Sequence, residues 1–181
     1  MLIQINKQFL QMRLLKFDDS ERLLKYFDGL SELTKSRFAP HGFESQSIEN
    51  ICEDIGKDTC FRFVALEVDT EQIVGYFVAQ NAISENDRNR FLQNKITLNS
   101  EECCSIAPSI TDNYHGSGIA KALFEFMCGH LKEQQKQHLI LLGGVQKENK
   151  QAISFYQKMG FNEAGEFDRH GVFNLNMWKS I

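Results

Sequence analysis

A glycine-rich segment, His115-Gly116-Ser117-Gly118-Ile119-Ala120, joins a predicted strand over about 102–110 to a predicted helix. The first turn of a helix carries N–H groups without intrahelical partners and about half a unit of positive charge. Glycines let a phosphate approach the backbone, because no Cβ stands in the way. The segment therefore predicts a cradle for a phosphate group, although a tight strand-to-helix turn without any ligand explains the same residues.

Two better-known phosphate motifs do not match this segment. A Walker A loop needs Gly-Lys followed by Ser or Thr at the start of the helix, and the sequence has no such tripeptide. A Rossmann fingerprint needs a third glycine where Lys121 stands, and an acidic residue about 20 positions further on in a parallel unit. The remaining interpretation of the segment is a phosphate site in which backbone amides alone hold the phosphate group.

A second motif follows in Val145–Phe161, VQKENKQAISFYQKMGF. It has Asn149 at the end of a predicted strand, Tyr156 on the next predicted helix, and Gly160 as a left-handed stop for that helix. The two motifs together resemble the signature of the GCN5-related N-acetyltransferase (GNAT) superfamily. That signature is Gln/Arg-x-x-Gly-x-Gly/Ala, followed by Val-x-x-x-Asn-x-x-Ala-x-x-x-Tyr-x-x-x-Gly-Phe. The resemblance covers about 102–165 in motif, and the order of predicted elements extends it to the whole chain.

The predicted elements run strand, two helices, three strands, helix, strand, helix, two strands. Strands over 9–17, 61–68 and 73–79 are rich in β-branched and aromatic residues, whereas the polar segment 80–100 is predicted to be a long loop. Apolar stripes mark the first two helices, at Leu23, Leu24, Phe27 and Leu30 and then at Ile48, Ile51, Cys52 and Ile55. This order predicts an α/β (α+β) fold in a single domain over 1–181, with helices on a mixed sheet. The order contains about seven strands and about four helices, and the resemblance implies that strands 4 and 5 are splayed apart.

Composition excludes several classes of protein. The chain has 181 residues, of which 42% are hydrophobic and 24% charged, and this balance is typical of a folded globular domain. No apolar run approaches the ~20 residues that span a bilayer, and the start of the chain lacks the apolar core of a secretory signal. A net charge of −4 without a basic run argues against nucleic-acid and membrane partners. Five cysteines without a CxxC pair predict free thiols, a cytoplasmic location and no metal.

The resemblance implies where acetyl-CoA, the co-substrate, is held. Ile110 falls at the position whose backbone pairs with pantetheine. The amides expected around the pyrophosphate are those of Gly116, Ser117, Gly118, Ile119 and Ala120. His115 stands where the family has Gln or Arg, and it either faces the phosphates as a partial cation or is simply exposed. Asn149 matches a residue that contacts the coenzyme and caps the next helix, although a purely structural cap explains it as well.

The resemblance also implies catalytic roles. Tyr156 matches the tyrosine that protonates the departing thiolate, and a phenol with a pKa near 10 is a proton donor at neutral pH. The alternative is a structural role, in which the ring packs against other side chains and the hydroxyl contacts water. The glutamate base of some members falls at Cys104, which leaves Glu102 or a base acting through water. The amide that faces the acetyl oxygen falls at Pro108, which has no N–H, so another group must supply the oxyanion donor.

The acceptor side is implied to include the loop between the first two helices, with Arg37, Phe38 and His41 as candidate substrate-binding residues. The same side chains are equally consistent with a packed surface loop. The sequence therefore predicts an N-acetyltransferase that moves an acetyl group from acetyl-CoA to a primary amine, by direct attack in a ternary complex. The acceptor is a small molecule or a peptide, and a homodimer stays open. The alternatives are a non-catalytic acyl-CoA-binding module and an unrelated nucleotide-binding α/β protein.

Overall fold

The structure is a computed structural model that describes residues 1–5, 7–38 and 40–181. The strands in this described part are β1 (Leu2–Ile5), β2 (Gln8–Leu14), β3 (Cys60–Glu67), β4 (Ile73–Gln80), β5 (Cys103–Ile110), β6 (His138–Leu141), β7 (Val145–Gln146), β8 (Asn162–Arg169) and β9 (Val172–Ser180). The α-helices are α1 (Ser20–Asp28), α2 (Glu32–Arg37), α3 (Ser45–Glu53), α4 (Glu85–Gln93), α5 (Ile119–Glu133) and α6 (Lys150–Lys158). Two short 3₁₀ turns cover Phe17–Asp19 and Asp112–Tyr114.

The strands hydrogen-bond in the order β1-β2-β3-β4-β5-β6-β9-β7, with β8 paired to β9. β5 and β6, the predicted strands 4 and 5, pair in parallel from Cys103 opposite His138 to Ile106 opposite Leu141. The pairs β1–β2, β2–β3, β6–β9, β7–β9 and β8–β9 are antiparallel. The predicted mixed sheet is therefore confirmed.

The chain divides into two compact units, each made of two separate segments. The first unit comprises Met1–Ala79 and Ala107–Gly129, and the second comprises Gln80–Ile106 and His130–Ile181. The single domain over 1–181 stays a prediction. No helix within the described ranges is both long enough and apolar enough to cross a membrane.

The core of the first unit confirms the predicted apolar stripes of two helices. Leu23 and Phe27 of α1 are fully buried, and Ile48 of α3 is 1% exposed. They pack in one cluster with aliphatic and aromatic side chains of β3 and β4, among them Val64, Leu66, Ile73, Tyr76 and Val78. Burying large apolar side chains of this kind contributes about 1.5–3 kcal/mol each.

In the second unit, the side chain of Arg90 connects α4 with the β8–β9 hairpin. The Arg90 Nε donates to Asn176 Oδ1 of β9 at 3.1 Å, and the guanidinium carbon lies 3.9 Å from the ring centroid of Phe167 in β8. Arg90 also forms an ion pair with Asp87, one turn earlier on α4. The helix begins after Ser84, whose Oγ accepts a hydrogen bond from Asp87 N at 3.0 Å. One arginine thus connects α4 with both strands of the hairpin.

The predicted loop over 80–100 is therefore wrong, because it contains α4. This helix buries only Asp87 and Phe91, so it has no apolar stripe that periodicity would reveal. α2 was also not predicted, since it is short and buries none of its residues. The structure has two strands more than the predicted seven, the four-residue β1 and the two-residue β7. Gly143 and Gly144, with φ angles of +71° and +73°, lie between β6 and β7.

The predicted loop between the first two helices starts later than expected, because α2 continues to Arg37. Ala39 of that loop lies outside the described residues.

Candidate functional site

The predicted phosphate turn lies in the first unit, between the 3₁₀ turn Asp112–Tyr114 and α5. Gly116 has a φ of +77° and Gly118 a φ of +96°, in a region that residues with a Cβ rarely adopt. A Cβ added to either glycine would meet no described atom within 4 Å. The turn therefore needs glycine for its backbone conformation, and it leaves open space beside that backbone.

Several amides of this turn point to no protein acceptor. Ser117 N donates to Tyr114 O at 3.2 Å, and Ile119 N donates to Ser117 Oγ at 3.3 Å. Within the part of the chain that the structure describes, the N–H groups of Gly116, Gly118 and Ala120 have no hydrogen-bond acceptor. These amides precede or begin a helix of 15 residues, whose N-terminus is electropositive. The arrangement suits a phosphate group that approaches from the open side.

His115 turns back toward the strand before it. Its Nε2 lies 3.1 Å from the carbonyl oxygen of Ile110, the predicted pantetheine-pairing residue. A carbonyl oxygen has two lone pairs, so this contact leaves Ile110 able to accept a second hydrogen bond. Ile110 itself is 7% exposed. Its side chain packs closely over Gly75, and a Cβ added to that glycine would lie 2.6 Å from the Cδ1 atom of Ile110.

Asp112 ties the start of α2 to the start of the phosphate turn. Its carboxylate accepts hydrogen bonds from Ser31 N at 3.0 Å, Ser31 Oγ at 3.0 Å and Thr34 Oγ1 at 2.6 Å. Burial raises the pKa of Asp112, but the hydrogen bonds from Thr34 and Ser31 outweigh burial and lower that pKa below its ordinary value. Ser31 is also the N-cap of α2, since its Oγ accepts from Thr34 N. The carboxylate thus joins the start of α2 to the segment that leads into the turn before α5.

The three candidate acceptor residues lie in different environments. Arg37 is exposed at the end of α2 and makes no hydrogen bond or ion pair with the described residues. Phe38 is 4% exposed and stacks on Phe27, with ring centroids 6.0 Å apart. His41 is half-buried, and its ring centroid lies 6.0 Å from that of Phe38 and 5.7 Å from that of Tyr76. The structure brings Phe38 and His41 together, and it places Phe38 in the core.

Five rings of this region form what we call the aromatic cluster. Its members are Phe27, Phe38, His41, Phe43 and Tyr76. Beside it, the Tyr26 hydroxyl donates to Ser109 Oγ at 2.8 Å, and both side chains are buried. The sequence analysis missed Tyr76 and its neighbour Arg62. A charged side chain inside the apolar strand FRFVALEV was the available signal for Arg62.

Asn149 and Tyr156 belong to the second unit. Asn149 is the N-cap of α6, and its Oδ1 accepts from Ala152 N at 3.2 Å. The predicted capping role is therefore confirmed, and the Nδ2 donors of Asn149 have no acceptor among the described residues. Tyr156 is 7% exposed, with its ring 5.5 Å from that of Phe155 and 5.4 Å from that of Phe161 between centroids. Burial raises the pKa of Tyr156 well above its ordinary value.

Glu102 immediately precedes β5. Its carbonyl oxygen accepts from Gln137 N at 2.8 Å and from His138 N at 3.0 Å, which fixes the start of β6. The Glu102 carboxylate makes no hydrogen bond or ion pair with the described residues. Cys104, at the position of the family's glutamate base, is fully buried. All five cysteines are free thiols, as predicted.

The described residues include no group of three or more His, Cys, Asp or Glu side chains that is arranged to hold a metal ion.

Solved structures show the same fold. The GNAT domain of S. lividans PAT has a TM-score of 0.78 at 15% identity, covering 100% of this chain and 96% of that chain. The ribosomal-protein-S5-alanine acetyltransferase from Vibrio fischeri has a TM-score of 0.74 at 14% identity, covering 99% and 96%. An aminoglycoside acetyltransferase, AAC(6')-Ib, in complex with coenzyme A has a TM-score of 0.70 at 13% identity, covering 94% of each chain.

A search of curated proteins finds no match. The model of the Acetyltransferase (GNAT) family, by contrast, matches residues 27–161, which is more than half of the chain and includes both motifs. The chain therefore belongs to the GNAT acetyltransferase family.

Proposed function

We propose that this protein is an N-acetyltransferase that transfers an acetyl group from acetyl-CoA to a primary amine, by direct attack in a ternary complex. The observation that carries the proposal is the turn before α5. Two glycines with positive φ leave open space beside free backbone amides, and these amides suit a diphosphate without any cationic side chain. The five free thiols support the predicted cytoplasmic location.

In this proposal the cofactor-binding groups are backbone groups for the most part. The N–H groups of Gly116, Gly118 and Ala120 bind the pyrophosphate, and the turn also contributes Ser117 and Ile119. Ile110 pairs with pantetheine through its backbone, and the Nδ2 group of Asn149 contacts the coenzyme while Oδ1 caps α6. The His115 side chain either keeps its hydrogen bond with the carbonyl oxygen of Ile110 or turns outward and contacts the phosphates.

Tyr156 is the proposed general acid. A buried phenol keeps its proton throughout the physiological pH range, because burial disfavours the phenolate. Proton transfer from a positioned side chain contributes roughly 10²–10⁴ in rate.

Glu102 is the proposed general base, and the alternative is a base that acts through water. The Glu102 carboxylate is not engaged by any described side chain, so it is available to accept a proton. The oxyanion that develops on the acetyl group needs a donor other than the backbone of Pro108.

The names of the structural neighbours do not identify the acceptor of this protein. Their names point to the alanine of a ribosomal protein and to aminoglycosides, and at 13–14% identity the likeness shows only the fold. The predicted acceptor residues Arg37, Phe38 and His41 remain a proposal.

A thermal-shift measurement followed by thiol-release kinetics tests the function. Acetyl-CoA, ATP and NAD are compared as ligands, and a ligand at 100 times its Kd adds about 2.7 kcal/mol of stability. We expect protection by acetyl-CoA alone, and then turnover on at least one member of a broad amine panel. Tyr156→Phe is expected to lower kcat by about 10²-fold or more, while acetyl-CoA binding changes less than threefold.

Phe155→Leu, at the adjacent ring, is the matched control, and we expect it to change stability more than kcat. Protection by ATP or NAD instead of acetyl-CoA contradicts the proposal. Coenzyme binding without turnover on any amine favours the non-catalytic acyl-CoA-binding module.

A further inference from the structure

The side chain of Tyr114 connects the turn before α5 with the sheet of the first unit. The Tyr114 hydroxyl donates a hydrogen bond to Oε1 of Glu67, the last residue of β3. Gln8 of β2 reaches both groups, because its Nε2 donates to Glu67 Oε1 at 2.9 Å and to the Tyr114 hydroxyl at 3.3 Å. Tyr114 is therefore joined to two neighbouring strands that are distant from it in the sequence.

The backbone of Tyr114 continues this connection into the turn. Its carbonyl oxygen accepts from Ser117 N at 3.2 Å and from Ser117 Oγ at 2.6 Å, which closes the turn around Gly116. Ser117 Oγ also accepts from the N–H of Ile119, the first residue of α5, at 3.3 Å. A continuous series of hydrogen bonds thus runs from the end of β3 to the start of α5.

A glycine-rich turn binds a ligand more tightly when such a connection holds it in advance. Glycine loses more conformational freedom on ordering than any other residue, and Gly116 and Gly118 are both ordered with positive φ. Freedom that is lost only on binding reduces the affinity, whereas a turn that is already held has little more to lose.

The contact between Tyr114 and Glu67 has the chemistry to hold the turn. A hydrogen bond to an ionised acceptor is roughly twice as strong as one between neutral groups. The same hydrogen bond raises the pKa of Tyr114 above its ordinary value, so the phenol keeps its proton at physiological pH and remains the donor.

We propose that Tyr114 and Glu67 are positioning residues for the coenzyme, and that the hydrogen bond between them holds the backbone amides of the turn in place for the diphosphate. Neither side chain acts on the reacting atoms in this role, so the contact governs the affinity for the coenzyme and not the chemical step. The inference rests on the proposed function, since it concerns the same coenzyme site.

The first test compares Tyr114→Phe, which removes only the hydroxyl, with Thr70→Val. Thr70 Oγ1 donates to Oε2 of the same carboxylate at 2.7 Å, so this control removes a hydrogen bond from Glu67 while Oε1 still accepts from Tyr114. Calorimetric titration with coenzyme A measures both variants. We expect the Kd to rise about fivefold in Tyr114→Phe and less than twofold in Thr70→Val.

Two results of this titration overturn the inference. An equal Kd in wild type and Tyr114→Phe shows that the hydroxyl does not hold the turn, and it leaves the proposed function intact. An equal increase in Tyr114→Phe and Thr70→Val shows that any change around the Glu67 carboxylate disturbs binding, whichever oxygen is affected.

A second readout separates positioning for the diphosphate from a general loss of structure. Acetyl-CoA is compared with S-acetylpantetheine, which carries the thioester but no diphosphate, in thiol-release kinetics with the same amine. We expect Tyr114→Phe to lower kcat/KM about fivefold for acetyl-CoA, through KM, and less than twofold for S-acetylpantetheine. Equal losses with the two acyl donors overturn the inference, because the contact would then support the fold and not the diphosphate site.

Substitutions of Glu67 give a third readout. Glu67→Gln keeps an oxygen that accepts from the Tyr114 hydroxyl, whereas Glu67→Ala removes it. We expect the Kd for coenzyme A to stay within twofold of wild type in Glu67→Gln and to rise about fivefold in Glu67→Ala. Adding Tyr114→Phe to Glu67→Ala is expected to cause no further loss, because both changes remove the same contact. Additive losses overturn the inference.

The failure of the proposed function is a separate result. If wild type binds coenzyme A but releases no thiol on any amine, the protein is not the proposed enzyme, and the calorimetric comparison of the variants still decides the inference. If wild type does not bind coenzyme A, the proposed function is contradicted and the inference is overturned with it.

Discussion

The phosphate turn and the aromatic cluster differ in what surrounds them. The amides of Gly116 and Gly118 face open space, where water satisfies them at little cost in free energy. The rings of Phe27, Phe38 and Tyr76, by contrast, are buried and contact one another. The turn therefore leaves room for a ligand without rearrangement, whereas the cluster contributes to the packing of the core.

The largest expected effect concerns whether the aromatic cluster is core or pocket. Phe38→Ala is expected to lower the free energy of unfolding by about 3–5 kcal/mol, because it leaves a cavity beside Phe27. Phe17→Ala, at a ring that is 79% exposed, should stay within about 0.5 kcal/mol of wild type. Urea unfolding measures both variants. A loss below about 1 kcal/mol in Phe38→Ala would show that this ring is not a core residue.

The second prediction concerns the preformed turn. Gly118→Ala is expected to cost about 1–3 kcal/mol of stability, because a φ of +96° strains any residue with a Cβ. It should also weaken coenzyme A binding by about tenfold or more, since the amides move out of position. Calorimetric titration measures the affinity, and urea unfolding measures the stability.

Gly129→Ala makes the same chemical change inside α5, where an added Cβ meets nothing within 4 Å. This control is expected to raise stability by about 1 kcal/mol, because alanine favours the helix. Destabilisation by the control, or unchanged coenzyme binding in Gly118→Ala, would contradict the role assigned to the turn.

The smallest effect concerns Asp112, which connects the two regions through α2. Its pKa is lowered in the folded protein, so its stabilising contribution is complete above the unfolded pKa of about 4 and is lost as pH falls through the folded value. Asp112→Asn is expected to cost about 1 kcal/mol at pH 7, and the difference from wild type should shrink below about pH 4. Urea unfolding at several pH values measures it. A difference that is independent of pH would rule out the carboxylate charge as its cause.

The phosphate turn was predictable from sequence because its requirements are local. Gly116, Gly118 and the capping residue Asn149 act through backbone geometry within a few positions, and such geometry depends on residue type and spacing. The stripes of α1 and α3 were predictable for the same reason, since a helix buries residues at a fixed period.

The rest depended on packing or on distant contacts. α4 has a polar sequence, and only the Ser84 cap and the buried Phe91 marked it. The contacts of Tyr76 with Phe27 and His41 require a strand, a helix and a loop to meet, and no local pattern encodes that meeting. Phe38 was predicted to bind the acceptor or to lie in a packed surface loop, and its burial against Phe27 depends on a contact between residues that are distant in sequence.

Arg90 has a consequence for redesign of the second unit. It holds α4 through an amide on one strand and an aromatic face on the other. The segments at the two ends of the helix also hold it, because Ile83 and Leu98 are buried in the same cluster as Phe91 of α4. A redesign that changes the length of either segment would therefore have to keep these two apolar side chains in place as well as the arginine.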